Sequence, residues 1–180
     1  SEMLNGVEDP REQLSRLLDL TVEVVGAANR RRLGDMIMEI INSPPNEVKL
    51  APMDGAPLDN LQRLARMQKR AAGGALADHH RKPFHEAMDR LQYGLVTRLN
   101  LFARLEGAGG DEIDHARRLL EFIERGLFTQ GQSINAAKTV LTGYLRKQGF
   151  LEQFVARLPA EQRIETLLQF RTQLQKHGIK

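Results

Sequence analysis

The sequence contains no cysteine and no tryptophan, and its 180 residues include only two tyrosines and seven phenylalanines. The absence of cysteine excludes disulfides, thiol chemistry and thiolate metal sites. No stretch approaches 18 uncharged apolar residues, which excludes a transmembrane helix. The first residues, SEMLNGVEDPRE, are acidic, whereas a secretory signal starts with basic residues and continues with apolar ones. We therefore expect a cytoplasmic protein that does not bind membranes.

The overall composition is typical of a globular protein, with 41% apolar and 27% charged residues. A chain of this length can bury roughly two-thirds of its unfolded surface, so it needs no disulfide or metal to fold. The net charge of +3 conceals an asymmetry: it is −5 over residues 1–60, +6 over 61–105 and +2 over 106–180. The basic middle segment predicts contacts with phosphate, with an acidic protein or with the acidic first third of the chain, and the last is favoured.

Helical spacing of apolar residues recurs along almost the whole chain, and no strand-like alternation competes with it. The pattern predicts an all-α fold, a compact bundle of about six to eight antiparallel helices. In this prediction residues 1–43 form an N-terminal helical arm or hairpin, 44–57 form a Pro-rich loop or linker, and 58–180 form the bundle, all within one structural domain. Asp9 is a predicted helix cap, and Gly26 leaves open whether 10–42 form one helix or two.

Further helix starts and stops follow from caps, prolines and glycines. We expect one helix from 58 to about 73 and the longest helix from Pro83 to Leu105, whose apolar stripe is also typical of a homodimer seam. Gly107 to Gly110 end that helix, while Asp111 and Ser133 are predicted to cap the next two. The last helix is predicted to bury Ile164, Leu167, Leu168 and Leu174.

Sequence motifs for catalysis and metal binding are weak. Three of the five histidines, His79, His80 and His85, lie close together, and the spacing of His85 and Asp89 can hold a metal. Arg81 and Lys82 lie between these potential ligands and would repel a cation. Glu112 and His115 match half of a di-iron motif whose second half is missing from the sequence. The glycine-rich stretches follow helices, and no serine lies in a nucleophile motif. We therefore predict no catalytic residue, no metal and no cofactor, and an enzyme is the less favoured class.

Two groups of residues remain as candidate sites. Arg63, Arg66 and Arg70 share one helix face and, together with Arg81 and Lys82, form a candidate nucleic-acid or anion-binding surface. A second candidate is a small-ligand pocket at His85, Asp89 and Tyr93, which follow one another on successive turns.

These observations favour a non-enzymatic, bacterial-type regulatory or adaptor protein that binds a partner protein through helical surfaces. The first alternative is a DNA- or RNA-binding protein that uses the basic face of residues 61–104. The second is a small-ligand binder or enzyme with its pocket near His85.

Overall fold

A computed structural model describes residues 9–44, 46, 50, 57–73, 76–98 and 109–179. These residues form eight α-helices and one short 3-10 helix, and they include no strand, which confirms the predicted all-α class. The α-helices are α1 (Pro10–Glu23), α2 (Ala27–Asn42), α3 (Pro57–Gly73), α4 (Asp78–Arg98), α5 (Glu112–Glu124), α6 (Gln132–Leu145), α7 (Phe150–Ala156) and α8 (Arg163–Lys176), and the 3-10 helix covers Ala160–Gln162.

Residues 10–42 form two helices rather than one, which settles the alternative that the sequence leaves open. Asp9 caps α1 by accepting a hydrogen bond from the backbone N–H of Arg11, and Pro10 occupies the first turn. The break falls at Gly26, whose φ of +99° is a backbone conformation that favours glycine. Glu12, in the first turn of α1, accepts a hydrogen bond from Arg16 one turn later.

Helix α4 begins five residues before Pro83, so the prediction that Pro83 starts this helix is wrong. Pro83 lies inside α4, where a proline removes one backbone hydrogen bond and its ring crowds the carbonyl group one turn earlier, at a cost of about 3 kcal/mol. The first turn of α4 is instead held by tertiary contacts, including the hydrogen bond between His80 and Asp35 of α2. The predicted continuation of this helix through Leu99 to Leu105 lies outside the described residues.

Two caps predicted in the C-terminal half have different outcomes. Asp111 caps α5 as expected and forms a reciprocal capping box with Asp114. Ser133 is not the cap of α6, because the helix begins at Gln132 after Gly131. The acceptor at this helix start is the carboxylate of Asp89 from α4.

Helix α4 lies at the centre of the bundle, where it contacts α2, α3 and α6. Helices α1 and α2 contact each other, and α1 also packs on α3. Helices α5 and α6 form a second pair, against which α7 packs. The largest fully buried side chains come from four of these helices and from Leu50, and they include Leu14, Leu17, Ile37, Ile41, Leu61, Leu64, Met88 and Leu91. The division of the chain at 43 and 57 stays a prediction, because most of 44–57 lies outside the described residues.

The helices in the described part of the chain are either too short or too polar to cross a bilayer.

Candidate functional site

A cleft between α1 and α3 collects the three arginines that the sequence places on one face of α3. The cleft has a volume of about 500 Å³. Its lining residues are Asp9, Arg11, Glu12, Ser15, Arg63, Arg66, Met67 and Arg70. Four guanidinium groups and two carboxylates give this arginine cleft a formal charge of +2.

The arginines of the cleft differ in what they contact. Arg70 forms an ion pair with Asp19 and donates hydrogen bonds to the hydroxyl of Ser15, at 2.9 Å, and to its carbonyl oxygen, at 3.3 Å. Arg11 donates to both carboxylate oxygens of Asp9, at 2.7 to 3.1 Å. Arg11 therefore holds the first turn of α1 to the Asp9 cap, and Arg70 joins α3 to α1.

The pKa of the Asp9 carboxyl is lowered by the basic side chains of the cleft. Hydrogen bonds from the Arg11 side chain, with a smaller contribution from the charge of Arg63, hold the pKa of the Asp9 carboxyl below its ordinary value. Arg63 and Arg66 themselves form no ion pair with any described residue, and Arg66 is exposed. Two guanidinium groups in the cleft therefore have no ion-pair partner among the described residues.

Arg81 and Lys82, the other two residues of the predicted basic surface, do not line this cleft. Arg81 pairs with Asp78 at 3.4 Å and donates to the carbonyl oxygen of Leu76 at 3.3 Å. Lys82 lies 3.8 Å from Glu86, one turn further along α4. Both are exposed and have acidic neighbours on their own helix, so the structure brings together three of the five predicted residues.

Asp89 is the centre of a buried polar network between α4 and the start of α6. Its carboxylate accepts hydrogen bonds from the backbone N–H groups of Gln132, at 2.7 Å, and Ser133, at 3.0 Å. The hydroxyls of Ser133 and Thr129 also donate to it, at 2.6 and 2.8 Å. Burial raises the pKa of Asp89, but these hydrogen bonds outweigh it, and the pKa lies below the ordinary value.

Gly131 allows the close approach of this carboxylate. A Cβ atom at position 131 would lie 2.4 Å from Oδ2 of Asp89. Gln92, one turn after Asp89, is fully buried, and its side-chain oxygen accepts from the backbone N–H of Thr129 at 2.8 Å. The network therefore fixes the loop before α6 to α4, and it explains why these polar side chains are inside the protein.

His85 has a similar connecting role one turn before Asp89. One ring nitrogen, Nε2, donates to the carbonyl oxygen of Gln130 at 2.6 Å, and the other, Nδ1, accepts from the side chain of Gln68. Tyr93, the third residue of the predicted pocket, is 38% exposed. His85, Asp89 and Tyr93 do not line the arginine cleft. A ligand pocket formed by these three residues therefore stays a prediction.

Helix α8 exposes apolar side chains that the sequence predicts to be buried. Ile164 is 77% exposed and Leu168 is 56% exposed, whereas Leu167 and Leu174 are partly buried against the core. The prediction is therefore wrong for Ile164 and Leu168. The aromatic contact that holds α8 was missed: Phe170 stacks on Phe154 of α7, with ring centroids 4.8 Å apart.

The exposed apolar pair lies in a shallow, open groove on the surface of α8, with a volume of about 640 Å³ and with all its lining residues in α8 and the 3-10 helix before it. Its lining residues are Glu161, Ile164, Glu165, Leu168, Gln169, Thr172 and Gln173. At one edge of the groove, Gln173 donates to Glu124 of α5 at 3.3 Å, and His177 lies 3.9 Å from the same carboxylate. These contacts fix α8 on α5 while its groove faces outward.

Comparison of the chain with protein-family models, with curated proteins and with solved structures found no match.

Proposed function

We propose that this chain is a non-enzymatic adaptor protein that binds an amphipathic, basic helix of a partner protein along the groove of α8. The observation that carries this proposal is the exposure of Ile164 and Leu168, one turn apart on the same helix. Single exposed apolar residues are common, but an adjacent pair within a groove is typical of an interaction surface.

The geometry of α8 explains why the bundle leaves this pair uncovered. Successive helical residues turn by about 100°, so Leu167, Phe170 and Leu174 lie within about 60° of one another. Ile164 and Leu168 lie about 60° and 100° from Leu167 on the other side. The apolar side chains of α8 therefore occupy a wider arc than the bundle covers. Ile164 and Leu168 lie in the uncovered part of this arc, where a partner can reach them.

The charges around the groove define the chemistry of that partner. Glu161 and Glu165 line the groove, and both are exposed. The side chain of Glu165 contacts only an uncharged amide, Gln169 at 3.2 Å, among the described residues. An amphipathic helix with leucine or isoleucine at its centre and lysine or arginine at its edges complements this surface.

The test is a selection of helical peptides from a displayed library that varies both apolar and charged positions. We expect the selected peptides to have an apolar stripe with basic flanks and to lose binding to Leu168→Ser by at least about tenfold, or 1.4 kcal/mol. Leu151→Ser is the matched control, because Leu151 is 59% exposed on α7 and does not line the groove.

Two outcomes would contradict the proposal. One is a set of selected peptides whose affinity is equal for the wild type and Leu168→Ser. The other is self-association of the wild type that Leu168→Ser abolishes, since the groove would then be the seam of a homodimer.

A second candidate function, binding of polynucleotide phosphates, is favoured by one specific observation. Arg63 and Arg66 form no ion pair with the described residues, yet they share a cleft with Arg11 and Arg70. Arginine is suited to phosphate because its guanidinium group can donate two parallel hydrogen bonds.

This candidate is tested by titrating labelled DNA and RNA of generic sequence at about 50 and 200 mM salt. Phosphate binding predicts that Arg63→Ala/Arg66→Ala weakens the complex and reduces its dependence on salt. Arg31→Ala/Arg32→Ala removes the same charge from exposed positions on α2 and serves as the control. Equal weakening by both double variants would mean that only overall charge matters and would exclude the cleft as a specific site.

A further inference from the structure

Three side chains with metal-ligating atoms meet where α2 contacts the first turn of α4. Asp35 comes from α2, and His79 and His80 come from α4. The carboxylate oxygen of Asp35 lies 2.8 Å from Nε2 of His80, and the two imidazole rings are 3.8 Å apart between centroids. One ligand atom from each residue lies within 4.8 Å of the other two. We propose that these three residues form a binding site for a divalent transition metal, with Zn²⁺ as the best-fitting ion.

The packing of His80 determines which of its nitrogens faces the site. The ring is 5% exposed and lies directly over Gly34 of α2, where an added Cβ atom would be 2.2 Å from Nδ1. Nδ1 therefore faces the backbone of α2, and Nε2 is the nitrogen directed at Asp35. A metal ion would bind Nε2 in place of its hydrogen, and the neutral ring would then carry its hydrogen on Nδ1, on the side of the α2 backbone.

The ligand set suits zinc in number and type. Zn²⁺ binds imidazole nitrogen and carboxylate oxygen at about 2.0 to 2.2 Å, which places neighbouring ligand atoms of a tetrahedron about 3.3 Å apart. The Asp35–His80 spacing is 2.8 Å and the other two are no more than 4.8 Å, so small rotations of the two exposed side chains would bring all three atoms to that spacing. Asp35 and His79 are exposed, so the ion can enter from solvent and a water molecule can complete the tetrahedron.

The basic residues next to the histidines repel a cation less strongly than the sequence alone implies. Arg81 and Lys82 are turned toward Asp78 and Glu86, at 3.4 and 3.8 Å. Their charges are therefore partly compensated within α4. A metal bound by α2 and α4 together would also join the N-terminal pair of helices to the central helix.

The experiment is a Zn²⁺ titration of the full chain in competition with a chromophoric chelator, together with the visible absorption of the Co²⁺-loaded protein. We expect one Zn²⁺ per chain, bound at micromolar concentration or more tightly, and the absorption of a tetrahedral Co²⁺ complex. His79→Gln and Asp35→Asn should each weaken the affinity by at least about tenfold. Both residues are exposed, so the variants should fold, whereas His80 is left intact because it is buried.

Asp78→Asn is the matched control, since it removes a carboxylate next to His79 that is not part of the group. It should bind Zn²⁺ like the wild type. The proposal is overturned if no stoichiometric binding occurs, or if the wild type, His79→Gln and Asp35→Asn bind with the same affinity. An equal loss in Asp78→Asn and Asp35→Asn would also overturn it, because local charge rather than ligation would then explain the binding.

Discussion

Asp89→Asn should destabilise the fold strongly although it changes only one atom of the side chain. The two carboxylate oxygens accept four hydrogen bonds, two from the backbone N–H groups of Gln132 and Ser133 and two from the hydroxyls of Ser133 and Thr129. An asparagine amide has one acceptor oxygen, and its NH₂ group would face a donor. If the amide oxygen keeps the three bonds at Oδ1, the part-buried backbone N–H of Gln132 loses its acceptor.

The expected magnitude follows from two contributions. A buried donor without an acceptor costs about 1 to 3 kcal/mol. Loss of the negative charge at the N-terminus of α6 adds about 0.3 to 2 kcal/mol, with the upper values at buried positions such as this one. We therefore expect the free energy of unfolding of Asp89→Asn to fall by about 2 to 4 kcal/mol at pH 7.

The difference between wild type and variant should also depend on pH. The hydrogen bonds hold the pKa of Asp89 in the folded protein below its ordinary value of 3.8. The stabilisation by the carboxylate is therefore complete above that ordinary value and is lost as the pH falls through the lower, folded-state pKa. The two proteins should converge in stability only in strong acid.

Urea denaturation followed by circular dichroism measures this effect. Asp59→Asn, at an exposed carboxylate in the first turn of α3, is the control and should change the stability by no more than about 0.5 kcal/mol. If Asp89→Asn unfolds within that same margin of the wild type at pH 7, Asp89 does not cap α6 and the description of the buried network is wrong.

Four further substitutions test other contacts. Gly34→Ala should destabilise the fold by about 1 to 3 kcal/mol, because the new Cβ meets the buried ring of His80. Gly143→Ala should stabilise it by about 0.5 to 1 kcal/mol, because nothing lies within 4 Å of the new Cβ. Thermal unfolding of the two variants tests these opposite signs. Asp111→Ala should lower the free energy of unfolding by about 0.5 to 2 kcal/mol in urea, since it removes the cap of α5. Leu168→Ser should leave the urea midpoint almost unchanged, because its side chain is exposed; a large loss would place that residue in the core.

The sequence predicts those features that depend on residues close together in the chain. Asp9 and Asp111 cap helices that begin one position later, and Gly26 separates α1 from α2. These features are local because a cap needs only the next few backbone N–H groups, and a positive φ depends on a single residue.

Features that depend on residues far apart in the chain cannot be predicted from local sequence patterns. Ser133 fits a cap by local rules, but the acceptor at α6 is Asp89, more than 40 residues earlier. The contact between Asp35 and His80 likewise joins residues 45 positions apart. Sequence spacing identifies the apolar arc of α8, yet only the arrangement of the neighbouring helices determines that Ile164 and Leu168 remain exposed.

The proposed binding groove is tested most directly by an amide chemical-shift map of the ¹⁵N-labelled protein, recorded as a selected basic amphipathic peptide is added. The proposal predicts that the largest shifts occur at residues 161–173 and disappear in Leu168→Ser. Shifts confined to residues 9–15 and 63–70 would instead place binding in the arginine cleft and would contradict the assignment of the groove on α8.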